Sequence, residues 1–213
     1  QHPKHKVIMT LLKDVYIERQ EWLAILNLLP KLQKQKLLDK TEVDTLTEHC
    51  HFNSLAQVAK QQGSTGVLDT FSKLPKALKK DERYMLEVAS QLINRNDHQA
   101  AYLLIMDALA KEFYPDLITL TAQLEISDFH PLIERLRILQ KSREGSGLLA
   151  TTIGQLLVKE SRWQDAISEL NKGISQAPSL AAYSALATAY EKTNKPGEAS
   201  NIYKQGFAYS LQA

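Results

Sequence analysis

The chain is poor in cysteine, glycine and proline. Its 213 residues include one cysteine, Cys50, with eight glycines and seven prolines. A single cysteine excludes an internal disulfide framework and agrees with a reducing compartment. Few glycines and prolines leave long stretches rich in Leu, Ala, Lys, Gln and Glu, which favour helix. A chain of this size can bury a substantial core as one domain or a short array.

The chain also lacks an excess of one charge and a long apolar run. Lys and Arg number 26 against 24 Asp and Glu, and this balance argues against nucleic-acid binding, which needs a basic face. The longest apolar run, Trp22–Leu26, ends at Asn27 and Pro30, whereas a bilayer span needs about 20 apolar residues. The chain opens at Gln1 without an initiator Met. We therefore expect a piece of a longer protein, whose other segments could carry a membrane anchor or signal.

Sequence motifs of catalysis are missing as well. There is no dinucleotide glycine fingerprint, no phosphate loop of the GxxxxGK form and no nucleophile elbow. The run Gly63–Gly66 is predicted to be a turn. We therefore predict no catalytic residue, no metal site and no cofactor.

Helical spacing of apolar residues is present almost throughout, without sustained period-2 alternation. Asp97, Asp116 and Asp128 suit helix N-caps, because a short side chain can accept an orphan amide hydrogen there. The pattern predicts an all-α protein with helices over 4–18, 21–36, 40–62, 64–74, 81–95, 97–111, 115–124, 128–142, 146–160, 163–176, 179–193 and 196–211.

Two C-terminal stretches repeat the same order of small and large residues, about 33 positions apart. Such a period is typical of stacked helical hairpins, in which small residues lie where helix backbones approach. The first stretch carries Ile153, Gly154, Leu157, Ala166, Leu170, Gly173 and Pro178. The second carries Leu186, Ala187, Tyr190, Ala199, Tyr203 and Gly206. A third copy of the template lies on Met85, Val88, Ala89, Leu92, Ala101, Ile105 and Ala108.

These spacings predict one array over residues 1–213. The predicted parts are a divergent repeat at 1–36, irregular helices at 37–80, a repeat at 81–114, a degenerate repeat at 115–145, a repeat at 146–178, and a repeat with a C-terminal helix at 179–213. Trp22 and Trp163 occupy equivalent repeat positions, early in the second helix of their hairpins. The last helix is apolar for an array end, where a polar cap is usual, so a homodimer contact through Tyr203, Phe207, Tyr209 and Leu211 is one expectation.

The repeat positions resemble the tetratricopeptide repeat (TPR), with the clearest match over 147–211. The resemblance rests on Gly154, Leu157, Ala166, Leu170 and Pro178, then on Ala187, Tyr190, Ala199 and Tyr203. It implies a TPR-like right-handed α-solenoid that binds proteins.

A narrower resemblance is to the C-terminal domain of HemY proteins. It rests on His2-Pro3, Tyr16-Ile17, Trp22, Asn96–Ala101, Ile153–Lys159, Trp163–Ala166, Lys195–Ala199, Gly206 and Leu211-Gln212. The family implied is that of proteobacterial inner-membrane TPR proteins associated with late haem (porphyrin) biosynthesis. It implies an N-terminal anchor, absent from this chain, a repeat region on the cytoplasmic side, and a non-catalytic scaffold for haem-pathway enzymes such as ferrochelatase. An unrelated flavin-dependent oxidase of the same name is excluded, because the chain has neither the glycine fingerprint nor strands to hold one.

The TPR resemblance also implies a concave groove lined by the first helix of each hairpin. Carried over by position, the groove residues are Arg83, Ser90, Asn94, Thr151, Gln155, Lys159, Ser184, Thr188 and Lys192, with Asp14 and Glu18 as equivalents in the first hairpin. Their mixture of amides, hydroxyls and cations suits an extended peptide or a helix. The alternative is that they form ordinary solvated polar faces.

The run His49-Cys50-His51 suggests an alternative function, that of a haem or porphyrin carrier with Cys50 or a histidine as ligand. Adjacent helical residues point about 100° apart, so these three side chains cannot converge on one ion. A buried free cysteine that behaves as a small hydrophobe is the alternative. Lys73, Lys76, Lys79, Lys80 and Arg83 form a basic cluster, interpreted as a solvated face or, in a membrane-tethered parent, as an approach to anionic lipid.

Overall fold

A computed structural model describes residues 3–143 and 145–211, and every regular element in them is helical. The elements are α1 (Pro3–Glu18), α2 (Trp22–Lys34), α3 (Lys40–Lys73), α4 (Lys76–Lys80), α5 (Glu82–Ile93), α6 (His98–Leu109), α7 (Pro115–Leu120), a 3₁₀ turn (Thr121–Gln123), α8 (His130–Ser142), α9 (Gly147–Lys159), α10 (Trp163–Gln176), α11 (Leu180–Lys192) and α12 (Pro196–Ser210). The predicted all-α class is confirmed. Trp22 and Trp163 each begin a second helix, as predicted.

The chain forms two compact units, unit 1 over Gln1–Asp97 and unit 2 over His98–Ala213. The boundary falls inside the predicted repeat 81–114, so that α5 belongs to unit 1 and α6 to unit 2. That all repeats stack into one solenoid stays a prediction.

Unit 1 is built on α3, which contacts α2 and α5. One apolar cluster of unit 1 consists of Met9, Ile25, Leu28, Leu29, Leu32 and Cys50. The start of α3 is fixed by a capping box, because the Asp39 carboxylate accepts the Glu42 amide at 2.8 Å while the Glu42 carboxylate accepts the Asp39 amide at 2.8 Å.

A kink at Gly63 divides α3. Gly63 has φ 66° and ψ −159°, a backbone conformation that is almost restricted to glycine. The two helices predicted at 40–62 and 64–74 are therefore confirmed, with their boundary at this glycine. The short α4 at Lys76–Lys80 was not predicted from the sequence; it follows Pro75, which the sequence marked only as a turn.

In unit 2, α9 and α10 contact each other through glycines. A β-carbon added at Gly173 would lie 3.0 Å from the Thr151 nitrogen, and one at Gly147 would lie 2.7 Å from the Ala177 nitrogen. A β-carbon at Gly154 would overlap the Leu170 side chain. The small repeat residues Ala166, Ala187 and Ala199 are buried. Glycine is therefore required wherever these two helix backbones approach most closely.

The degenerate repeat departs from its predicted helix bounds. An α-helix is predicted over 115–124, but α7 ends at Leu120 and the 3₁₀ turn Thr121–Gln123 follows it. The N-cap predicted at Asp116 is wrong, because Pro115 begins α7 and Tyr114 occupies the cap. The N-cap predicted at Asp128 is also displaced, because Phe129 occupies the cap of α8, although the Asp128 carboxylate accepts the His130 amide at 2.9 Å from one position earlier.

Candidate protein-binding grooves

Unit 2 holds a groove on the first helices of its hairpins, where α9 contacts both α7 and α11. The depression has a volume of about 470 Å³. It is lined by Thr119, Ala122, Gln123, Leu148, Thr151, Thr152, Gln155, Ala177, Pro178, Ser179 and Ala181. This is the neutral groove. It lies along α9, between α7 with its 3₁₀ turn on one side and the connection from α10 to α11 on the other.

The lining of the neutral groove is polar but uncharged. Hydroxyl and amide side chains from α7, the 3₁₀ turn, α9 and the N-cap of α11 line it together with alanine, leucine and proline, and no charged side chain is among these described lining residues. Such a surface can satisfy the peptide groups of a bound segment while its apolar atoms cover that segment's side chains. An acidic or basic tail would find no counter-charge among these lining side chains.

Of the predicted groove residues, Thr151 and Gln155 line the neutral groove. Thr151 is buried, and its hydroxyl finds no hydrogen-bond partner among the described residues. Gln155 is half-buried, one turn further along α9. On α11, Ser184 and Lys192 are exposed, and the Thr188 hydroxyl donates to the Ser184 carbonyl at 3.0 Å.

Lys159 occupies the end of the same α9 row but is engaged within unit 2. Its ammonium donates to the Leu124 carbonyl at 2.6 Å and lies 5.6 Å from the centroid of the Phe129 ring. Burial lowers the pKa of Lys159, and nearby Glu125 partly opposes this effect. Lys159 therefore holds the segment after the 3₁₀ turn against α9 through this hydrogen bond. Its charge is only partly available to a partner.

Unit 1 holds a second depression, the charged trough, between α3 and α5. Its volume is about 550 Å³. Two helical rows line it: Thr45, Glu48, His49 and Phe52 from α3, and Arg83, Tyr84, Leu86, Glu87 and Ser90 from α5. Both rows step by three and four residues, the spacing of one helix face. The predicted groove residues Arg83 and Ser90 lie here, while Asn94 is exposed at the C-cap of α5, outside the lining.

Ion pairs and an aromatic contact define the charged trough. Arg83 lies 2.6 Å from the Asp81 carboxylate and 2.7 Å from that of Glu48. The hydrogen bond from Arg83 holds the pKa of Asp81 below its usual value. The Tyr84 hydroxyl donates to the Glu48 carbonyl at 2.8 Å, its ring meets Phe52 edge-on at 5.5 Å, and burial raises its pKa to about 12. Arg83 is therefore committed to neighbouring carboxylates of unit 1.

Sequence reasoning missed the α3 half of the charged trough and the α7 half of the neutral groove. Glu48 and Phe52 lie in the segment predicted to be irregular, and Thr119 and Gln123 in the degenerate repeat. The row at positions 45, 48, 49 and 52 was a usable signal, because its spacing places those residues on one helix face. Asp14 and Glu18 are exposed on α1.

The three residues His49, Cys50 and His51 have separate environments. Cys50 is buried in the apolar cluster of unit 1, and burial raises the pKa of its thiol to about 11. The His49 ring meets Trp22 edge-on, with 5.1 Å between ring centroids, and burial lowers the pKa of His51. No group of three potential metal ligands occurs in the described ranges. This geometry favours the apolar role for Cys50 over that of a haem ligand.

The basic cluster near α4 is largely occupied by local contacts. Lys73 pairs with Asp69 at 2.6 Å, and the Lys79 ammonium donates to the Ser72 carbonyl at 2.9 Å. These contacts support the interpretation as an ordinary solvated face. Within the part of the chain that the structure describes, no helix has the length and hydropathy that a membrane crossing requires.

The stacked helical hairpins of unit 2, packed together at small residues, are those of a TPR-like helical-repeat protein. The fold agrees with that of MamA (AMB-1), a TPR-like protein, at a TM-score of 0.50 and 15% identity over 76% of this chain and 99% of MamA. The sequence is similar to HemY of Escherichia coli (strain K12), with 25% identity over 210 residues that make up 99% of this chain. HemY of Shigella flexneri matches equally well.

The resemblance to the C-terminal TPR-like region of HemY, predicted from the sequence, is therefore confirmed. The chain spans about half the length of these curated relatives, 53%. No protein-family model matches the sequence.

Proposed function

We propose that this chain is the repeat region of a HemY-like protein that binds a partner protein and performs no catalysis. In the full-length protein this region would lie on the cytoplasmic side of the bacterial inner membrane, held by an anchor outside this chain. Its role would be to organise late haem biosynthesis, with ferrochelatase as the candidate partner. The HemY similarity over nearly the whole chain supports the pathway.

One observation carries the binding role: the neutral groove beside α9 presents the uncharged amides of Gln123 and Gln155 among apolar and hydroxyl side chains. A partner segment of mixed polar and apolar side chains, extended or helical, suits that lining. The absence of charge among its lining side chains disfavours a strongly acidic or basic tail as occupant.

The test measures binding of purified ferrochelatase from the same organism to this chain by titration calorimetry. Gln155→Arg and Ala181→Arg each place a long cation in the groove and should weaken binding at least tenfold, since a buried unpaired charge is costly. Gln164→Arg is the matched control, because Gln164 is exposed on α10 and lies outside the lining. It should bind like the parent.

Two results would contradict the proposal. Absence of ferrochelatase binding at micromolar concentrations would remove this partner, and binding unaffected by both groove variants would remove the groove. Lys192 is exposed on α11, and the sequence analysis predicted that it contributes to binding. Calorimetry of Lys192→Glu, in which its charge is reversed, measures that contribution.

A further inference from the structure

The outer face of α12 exposes a row of large apolar side chains. Tyr203, Phe207 and Leu211 are 46%, 66% and 73% exposed, and each is one turn from the next. The opposite face is held by α11, since Gly206 lies against Tyr183 and the Tyr209 ring lies 5.9 Å from the Tyr183 ring. The helix is therefore fixed in position with its apolar row directed outward.

A groove of about 460 Å³ runs beside this row. It is lined by Glu191, Pro196, Ala199, Ser200, Tyr203, Lys204 and Phe207. Residues 196, 199, 200, 203 and 207 step by three and four, so they form one stripe along α12. The stripe has small side chains and a proline in its first half and large aromatic ones in its second half.

That asymmetry makes the stripe complementary to itself when two copies run antiparallel. Tyr203 of one copy would then face Ser200 of the other, and Phe207 would face Pro196, so that large side chains fill the space left by smaller ones. A two-fold pair uses the same surface on both copies and leaves no further copy of it free.

Charge supports the same pairing. Lys204 and Glu191 line the same groove with opposite signs. In the antiparallel arrangement Lys204 of one copy approaches the start of the other copy's α12, beside which that copy's Glu191 lies. Two such opposite-charge contacts would form by symmetry, and a parallel arrangement would bring like charges together.

We propose that this stripe on α12 binds the α12 stripe of a second copy of the chain, as an antiparallel two-fold pair. The contact is a self-association surface separate from the neutral groove, and it does not depend on the proposed function. A pair of single helices buries less than the roughly 1,200–2,000 Å² of a stable interface, so the dimer should be weak.

The experiment is sedimentation equilibrium of this chain from about 5 to 300 μM, a span that covers weak association. The average mass should rise from 24.0 kDa towards twice that value. Phe207→Glu and, independently, Ser200→Arg should each weaken association about tenfold or more, because both place a charge in the stripe. Leu103→Glu is the matched control, since Leu103 is 58% exposed on α6, and it should associate like the parent.

Charge exchange tests the antiparallel geometry. Lys204→Glu and Glu191→Lys should each weaken association about threefold, and the double variant should restore it. Circular dichroism confirms that each variant is folded. A parent that stays monomeric to 300 μM overturns the proposal, as does a dimer that survives both Phe207→Glu and Ser200→Arg. A double variant that is weaker than both single ones overturns the antiparallel pairing.

Discussion

Units 1 and 2 hold their helices together in different ways. In unit 2, Gly147, Gly154 and Gly173 bring the α9 and α10 backbones close enough that an added β-carbon would collide. In unit 1, long polar side chains from α5 and from the turn after it donate hydrogen bonds to carbonyls of α3. Arg95 donates to the Ala59 carbonyl at 2.8 Å, and Tyr84 donates to that of Glu48.

The contact made by Arg95 lies beside the kink in α3. Ala59 is in the last turn before Gly63, and its carbonyl accepts from Arg95, which follows the C-cap of α5. The grooves differ as well: the charged trough of unit 1 has ion pairs beside its aromatic contact, whereas the neutral groove of unit 2 has uncharged polar groups. In unit 1, hydrogen bonds from polar side chains therefore connect helices that in unit 2 are packed closely at glycines.

The two tryptophans allow this comparison to be tested one unit at a time. Trp22 lies in unit 1 and Trp163 in unit 2. Trp163→Phe leaves a fluorophore that reports unit 1, and Trp22→Phe leaves one that reports unit 2. Urea unfolding followed by fluorescence then assigns a change in stability to a unit.

The largest effect is expected for Gly173→Val. The added side chain would overlap the Thr151 hydroxyl and press on the α9 backbone, and overpacking of this kind should destabilise unit 2 by about 3 kcal/mol. The fluorescence of Trp163 should show the loss. Gly197→Val is the control, because nothing lies within 4 Å of a β-carbon there. Equal effects of the two substitutions would contradict glycine-dependent packing.

A smaller effect is expected for Gly63→Ala. Space is available at this position, but an alanine with φ near 66° and ψ near −159° is strained by about 2 kcal/mol. The loss should appear in the Trp22 signal. Ser64→Ala, one residue further along α3, should change stability little. If Gly63→Ala proves neutral, the kink in α3 is not required by unit 1.

Removal of the Arg95 contact should cost less. Arg95→Met keeps the apolar stem but loses the donor to Ala59, and the expected destabilisation of unit 1 is about 1 kcal/mol. Arg19→Met is a matched control, since Arg19 is exposed and 4.0 Å from Glu21. A loss no greater than that of the control would show that the tie between α3 and α5 contributes nothing.

The smallest effect is expected from pH. Burial lowers the pKa of His51 below the usual value of 6.5, so below that pH the unfolded chain binds a proton that the folded chain resists. The free energy of unfolding of unit 1 should therefore fall as the pH drops from about 6.5 towards the folded pKa. His51→Gln should reduce this dependence, measured by urea unfolding at pH 7.5 and pH 5.5. The same slope in both proteins would contradict the assignment to His51.

Most helices were predictable because local rules decide them. Apolar spacing placed the helices, and Gly63 marked the break in α3, since only glycine occupies that conformation readily. The N-cap at Asp116 was predicted wrongly, because Pro115 is also a good first helical residue and moved the helix start forward. The groove residues Thr151 and Gln155 were implied by the resemblance to the TPR, and their role in binding stays a prediction.

The charges at the candidate sites were not predictable in this way. Arg83 meets Glu48, and Lys159 meets the Leu124 carbonyl, each across 35 residues of sequence. Such partners depend on which helices the fold brings together. Sequence reasoning therefore treated both cations as available to a ligand, while the structure shows both engaged.

By itself, the order of residues determined the helical class, the repeat period and the places where small side chains let helices touch, because these depend on neighbours within one or two turns. Tertiary structure alone decided which polar groups are hydrogen-bonded or ion-paired within a unit and which remain accessible in a groove. That outcome depends on distances between helices remote in sequence, where desolvation and hydrogen bonding determine whether a charge stays available.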